Sequence, residues 1–326
     1  MSAPPVRHET GLCDEAWQGP TYYGRSQLKP APFHNWAVGG YIFLAGLSGA
    51  SALIATIADL TEGRPAAPTV RRGRYLSLLA PTIGSALLVW DLHTPKRFYN
   101  MMRVAKGTSP MSIGTWILLT FSAFSLPTAA AQFLSRRLPW LRRLARATQV
   151  PAAIAGAGLA TYTASLLSAT SVPLWAAAPR SMAARFGSSS VAAGAAALSL
   201  LEGSGARRRR LDTLALAALS VELAAGMLSH RVYRAKGVGA ALDGDWGRVE
   251  SNAVTRLGTT MPIGLHAASL ILGRARPGTT SDIASLAVLA GSLLLRVSIM
   301  SAGDESASRP EVSLRFSQPQ NLPEHA

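Results

Sequence analysis

The chain has 326 residues, 48% of them hydrophobic and 15% charged, with 32 Lys and Arg against 17 Asp and Glu, a formal net charge of +15 and a mean hydropathy of +0.21. A soluble domain carries about 25% charge, so this balance excludes a disordered tail protein and argues against a nucleic-acid-binding module whose charge coats a soluble body. One cysteine excludes a disulfide scaffold, a Cys-based zinc site and an iron–sulfur cluster. What remains is a membrane protein whose charges are confined to loops.

Apolar runs long enough to span a bilayer are read near 35–60, 75–91, 112–134, 148–171, 188–203, 211–230, 257–273 and 282–300. The expected fold is an all-α integral membrane protein of eight helices, with residues 1–34 as an N-terminal surface segment and 35–303 as the membrane domain. Residues 304–326 are expected to be a disordered tail. The second, fifth and seventh runs are short or diluted by Gly, Ser and Pro. No secretory leader is expected, because the first run starts after about 34 polar residues. Gly46 and Gly49 in the first run, and Gly156 and Gly158 in the fourth, predict close helix crossings, since small residues let backbones approach in lipid.

If both termini face the same side, the four short loops opposite (61–74, 135–147, 202–210 and 274–281) hold 15 basic residues in 44 positions. The remaining segments hold 16 in 124. Short-loop arginines mark the cytoplasmic side, which predicts both termini on the non-cytoplasmic side.

An ionisable residue within a span needs a reason, because charge in hydrocarbon is costly. Asp91 closes the second run and opens Asp91-Leu92-His93-Thr94-Pro95-Lys96-Arg97-Phe98-Tyr99-Asn100. His34 and Asn35 stand where the first run begins, Tyr162 and Ser165 lie in the fourth, and Glu222 near the middle of the sixth. His230, His266 and Arg296 complete the set. The eight-run topology places His34, Asn35, Asp91, His93, His230 and His266 toward the outer half, with Tyr162 and Glu222 deeper.

The stretch from Asp91 to Trp116 resembles the signature of the NrfD/polysulfide-reductase membrane-subunit family. It carries Asp91-Leu92, Pro95, Arg97-Phe98, Asn100, then Thr108-Ser109-Pro110-Met111-Ser112 leading into Gly114-x-Trp116. Gly40 to Ser48 is similar to the family's first helix and Tyr162 to Ser168 to its fourth. His93-Thr94 departs from the pattern, where many members have Gly and a basic residue. The resemblance implies two four-helix bundles without haem or cluster, in the bacterial inner membrane. It implies a quinone-reactive subunit (menaquinone or ubiquinone) that docks a ferredoxin-like iron–sulfur subunit, with a molybdopterin-type catalytic subunit beyond.

By matching motif, Tyr162 is the expected headgroup hydrogen-bonder and Asp91 the acid ending the second helix. His34 or Asn35, with Ser165, is expected to complete the quinone site. Quinol oxidation releases two protons that acids or histidines must accept, which makes Asp91, His93 and Glu222 the expected proton carriers. Arg97, Arg103 and Lys106 read as solvated surface charge or as the docking face for the cluster subunit. Two other functions stay open: a haem b anchor using His230 and His266, and an ion-translocating transporter, for which no inverted repeat is visible.

Overall fold

A computed structural model describes residues 28–29, 31–32, 34–63, 66–92, 94–271, 279–318 and 321. Every regular element among them is helical. In chain order, α1 (Asn35–Thr61) is followed by α2 (Ala67–Leu76), a π turn (Ala80–Gly84) and α3 (Ser85–Trp90). After a 3-10 segment (Pro95–Met102) come α4 (Pro110–Leu134), α5 (Leu141–Ser168), the short α6 (Pro173–Ala177), α7 (Pro179–Leu201) and α8 (Gly205–Ala235). A 3-10 turn (Gly239–Leu242), α9 (Asp245–Arg248), a π-helix (Val249–Thr260), α10 (Met261–Ile271), α11 (Thr279–Ser308) and α12 (Pro310–Phe316) complete the order.

Among the described residues, five helices are long and apolar enough to cross a membrane: α1, α4, α5, α8 and α11. The three diluted runs take other forms. The second is broken into α2, the π turn and α3, the fifth is the Ala- and Ser-rich α7, and the seventh is the π-helix continued by α10.

A break in a buried helix leaves backbone groups that other groups must satisfy. Between Leu76 and Ala80, Ser48 of α1 does this. Its hydroxyl accepts from the Ala80 amide at 2.8 Å and donates to the Leu76 carbonyl at 3.3 Å.

The small residues act where the sequence places them. A Cβ on Gly49 would collide with the Gly156 carbonyl oxygen, so α1 and α5 cross backbone to backbone. A second such crossing joins the π-helix to α11, where a Cβ on Gly258 would lie 2.5 Å from the Gly291 Cα. Methyl groups at either point would force the helices apart.

The expected tail is corrected from residue 304 to the end of α12. The helix begun at Thr279 runs on to Ser308, and Pro310 starts α12, whose Val312 is buried with Leu174 and Tyr233. These residues are polar because they face polar partners. Ser306 accepts from the Leu174 amide at 3.3 Å, and Arg309 donates to the Ala240 carbonyl at 2.5 Å and pairs with Glu305.

Candidate functional site

At the start of α1 the chain enters the helix with His34 extended (φ −81°, ψ 104°) and without a side-chain cap. The His34 amide and its ring Nδ1 both turn to Asp91, at 3.1 and 2.8 Å from Oδ1. Asp91 follows the last turn of α3, where a carboxylate is disfavoured by that helix's dipole; the start of α1 favours it. Its side chain is 5% exposed, whereas that of His34 is 73% exposed.

One residue on, Asn35 reaches the opposite wall. Its Nδ2 donates to Asp304 Oδ2 of α11 at 2.9 Å, and the Ala31 amide donates to Oδ1 at 3.0 Å. That bond fixes the amide's orientation, leaving Asn35 Oδ1 buried without a hydrogen-bond partner. Beside His34 and the Asn35–Asp304 pair opens a cavity of about 680 Å³, lined by His34, Asn35, Trp90, Trp246, Asp304 and Glu305 among others, with Asp91 not part of the lining. The His34 and Trp90 rings are 5.7 Å apart.

The signature stretch begins at Asp91, the partner of His34, and runs on through the 3-10 segment to α4. Arg97, Arg103 and Lys106 are exposed on the 3-10 segment and the loop after it. Ser112 holds that loop, accepting from the Lys106 amide and donating to the Val104 carbonyl, both at 2.9 Å; Trp116 donates to the same carbonyl at 3.2 Å. Tyr162 crosses from α5 and donates to the Pro110 carbonyl at 2.7 Å. Gly114 makes room for that ring, since a Cβ there would fall on Tyr162 Cζ. The motif glycine, serine and tryptophan are thus explained by how the loop is pinned.

The structure brings His34, Asn35 and Asp91 together and adds Asp304, Trp90 and Trp246, which sequence reasoning missed. Asp304 was hidden because it lies past the last apolar residues; the signal was the continued run of small residues through Ser301, Ala302, Gly303, Ser306 and Ala307. Tyr162 does not line the cavity, and Ser165 is on an exposed face of α5. His93 lies outside the described residues.

Glu222 belongs to a separate, interior set. It accepts from Thr259 at 3.3 Å and shares its surroundings with Arg185 and Arg296. Arg185 binds Glu250 at 2.5 Å, and His230 Nε2 is 3.0 Å from the same carboxylate. Arg296 is 1% exposed and donates to Ser189, Ser190, the Ser292 hydroxyl, and the carbonyls of Ser292 and Phe186, at 2.6–3.1 Å. A third cluster, unforeseen from the sequence, gathers Arg74, Arg146 and Gln149 on Asp59 near the far end of α1.

Contrary to expectation, His266 does not lie at the same end of the helices as His230. Its Nδ1 is 4.0 Å from Asp212, which sits near the start of α8, while His230 sits near its end. Eighteen positions at 1.5 Å rise separate Asp212 and His230 by roughly 27 Å. The seventh helical stretch begins at Asp245 rather than near 257, which carries His266 deeper. Two ring nitrogens so far apart cannot share one iron, which removes the haem reading. Among the described residues no group of three or more His, Cys, Asp or Glu is placed to hold a metal ion.

Residues 26–305 match the family described as Polysulphide reductase, NrfD. The chain belongs to this family. A 90-residue stretch of this NrfD-family protein is also 28% identical to the C subunit of the polysulfide reductase of Wolinella succinogenes. That match covers 27% of this chain and 28% of the relative's length. The NrfD-family protein is therefore a membrane protein with several apolar helices.

Proposed function

We propose that this NrfD-family protein is the quinone-reactive membrane subunit of a respiratory oxidoreductase, with the quinol headgroup bound in the cavity beside His34, which Asp91 holds, and the Asn35–Asp304 pair. The observation that carries this reading is the buried, unpartnered Asn35 Oδ1 beside a cavity of about 680 Å³. An acceptor left without a donor in such a place costs about 1–3 kcal/mol, and a quinol hydroxyl supplies the missing donor. The tryptophans offer apolar ring faces, as a site of this kind needs. The bound quinol supplies two electrons and two protons on oxidation. Asp91 with His34 and Asp304 with Asn35 orient the two hydroxyls and accept the protons, and the exposed His34 passes them to water.

In this reading the eight apolar runs form eight crossings in two four-helix bundles, in the bacterial inner membrane, with the mouth and both termini on the non-cytoplasmic side. Arg97, Arg103 and Lys106 form the docking face for a ferredoxin-like iron–sulfur subunit that exchanges the electrons, with a molybdopterin-type catalytic subunit beyond. The quinone is menaquinone or ubiquinone, and electron flow in the reverse direction uses the same groups. Glu222 lies among other helices and takes no part in the headgroup chemistry.

The test is quinol-dependent turnover of the purified complex with Asn35→Ala and Asp304→Asn. Quinol turnover and bound quinone are expected to fall together while subunit composition stays intact. Unchanged quinol kinetics in both variants would refute the site. Charge reversal at Arg97 and Arg103 is expected to lose the cluster subunit on purification, and full recovery of the complex refutes the docking face.

A further inference from the structure

The polar groups around the quinol cavity are biased toward accepting hydrogen bonds, and the bias starts at one backbone amide. The Ala31 N–H donates to Asp304 Oδ1 at 3.0 Å, and Asn35 Nδ2 donates to Oδ2 at 2.9 Å. A carboxylate only accepts, so the Asn35 amide turns its nitrogen to Asp304 and holds its oxygen away. That oxygen is buried and has no hydrogen-bond partner among the described residues. Two fixed orientations in a row therefore leave one acceptor over beside the cavity.

Neighbouring groups repeat the bias. His34 Nδ1 is 2.8 Å from Asp91 Oδ1, so in the neutral ring the hydrogen sits on Nδ1 and Nε2 is left an acceptor. Glu305, also in the lining, accepts from Arg309 and has nothing to donate. The donors in the lining do not discriminate. The Ser301 hydroxyl rotates to donate or accept. The indole N–H groups belong to Trp36, Trp90 and Trp246, none of them buried, so water serves them whatever is bound.

Reduction of a quinone adds two electrons and two protons, and turns two carbonyl acceptors into two hydroxyl donors. We propose that the Ala31–Asp304–Asn35 chain makes this cavity select the reduced form, with Asn35 as the residue that discriminates, a selection that rests on the cavity being the quinol site. A hydroxyl at Asn35 Oδ1 makes the missing hydrogen bond, whereas a carbonyl oxygen there sets two acceptors against each other. An unmade hydrogen bond on a buried group corresponds to roughly 5- to 150-fold in affinity. Each tenfold preference for the quinol raises the potential of the bound two-electron couple by about 30 mV.

The experiment uses the purified chain in mild detergent, stripped of quinone, with duroquinol under argon and duroquinone in air as probes. Equilibrium dialysis gives a dissociation constant for each form, and duroquinol is expected to bind about tenfold or more tightly. Asp304→Asn keeps the shape but removes the reason for the Asn35 orientation. The Ala31 amide still needs an acceptor, so the new amide keeps its oxygen there and turns its nitrogen to Asn35. Asn35 then flips to accept from that nitrogen and presents its own N–H to the cavity. Asp304→Asn is therefore expected to reverse the preference toward duroquinone. Asn35→Leu, close in shape, removes the acceptor and is expected to bring the two constants together. Ser301→Ala removes a hydroxyl that serves both forms and is expected to leave their ratio unchanged. Equal binding of the two forms by the wild type overturns the selection and leaves the cavity as the quinone site. So does a ratio unmoved by Asp304→Asn and Asn35→Leu, or one moved as far by Ser301→Ala. Binding of neither form overturns the quinol reading and the selection together.

Discussion

Two polar regions of this protein make opposite use of their charges. In the interior, Arg185, Arg296, Glu222 and Glu250 are almost fully buried, and their charges balance within the set. Arg296 alone makes five hydrogen bonds to serines and carbonyls. At the mouth, Asp91 and Asp304 lie on helix ends from opposite parts of the chain, His34 is open to water, and Asn35 Oδ1 has no partner. Burial alone therefore does not mark a working residue in a membrane bundle. A charge paired within the protein holds helices together even where, as at Arg185 Nε and Arg296 Nε, one nitrogen goes without a partner. A polar group left short of a partner beside a cavity is placed for something that comes and goes.

The largest effects that test this contrast are on stability, inside. Arg185→Leu removes the guanidinium paired with the Glu250 carboxylate, leaving His230 beside it, and is expected to cost about 3–5 kcal/mol, as removal of one member of a buried pair does. Unfolding in detergent measures it, and an unchanged melting temperature would dissolve the distinction from that side. Glu222→Gln, which keeps the shape and the hydrogen bonding, is expected to leave quinol turnover intact; a large loss would move Glu222 into the proton chemistry and out of the purely structural set.

At the mouth the pattern reverses. Asp91→Asn and Asp304→Asn are expected to lower quinol turnover about 10²-fold or more, the usual worth of a positioned proton acceptor, with little change in unfolding. A smaller effect is expected from Tyr162→Phe, which loses one hydrogen bond to the Pro110 carbonyl, about 1 kcal/mol. A turnover loss as large as that of Asp91→Asn would instead return Tyr162 to the headgroup.

The smallest effect lies outside the spans. Burial opposes ionisation of Glu202, but hydrogen bonds from Arg207, Thr69, the Ser204 amide and Arg72 outweigh it and hold the carboxyl down to about 2, from an ordinary 4.5. A lowered carboxyl contributes stability that is fully present above about 4.5 and lost as pH falls toward about 2. Wild-type protein is expected to lose melting temperature across that window, and Glu202→Gln to lose less of it. Parallel curves would show that this carboxylate is not held by its arginines.

The helical class and the membrane setting were legible in the sequence because hydrocarbon demands long apolar runs and self-satisfied backbones, both of which are properties of consecutive residues. The close crossings at Gly49 and Gly156 were legible for the same reason: only glycine in an apolar run permits them. Asp91 and His34 could be named as candidates because a charge or imidazole at the edge of a run stands out locally.

What tertiary structure alone decided is which polar residues meet. Asn35 and Asp304 are 269 positions apart, and Arg185 and Glu250 are 65 apart. No period or motif in the chain pairs them. The π-helix at Val249–Thr260 and the break after Leu76 set the depth of His266 and the shape of the second run, since each departs from the 1.5 Å rise on which a sequence ruler depends. Composition placed the polar groups in the membrane, and the packing of helix on helix divided them into those filled by protein and those left open.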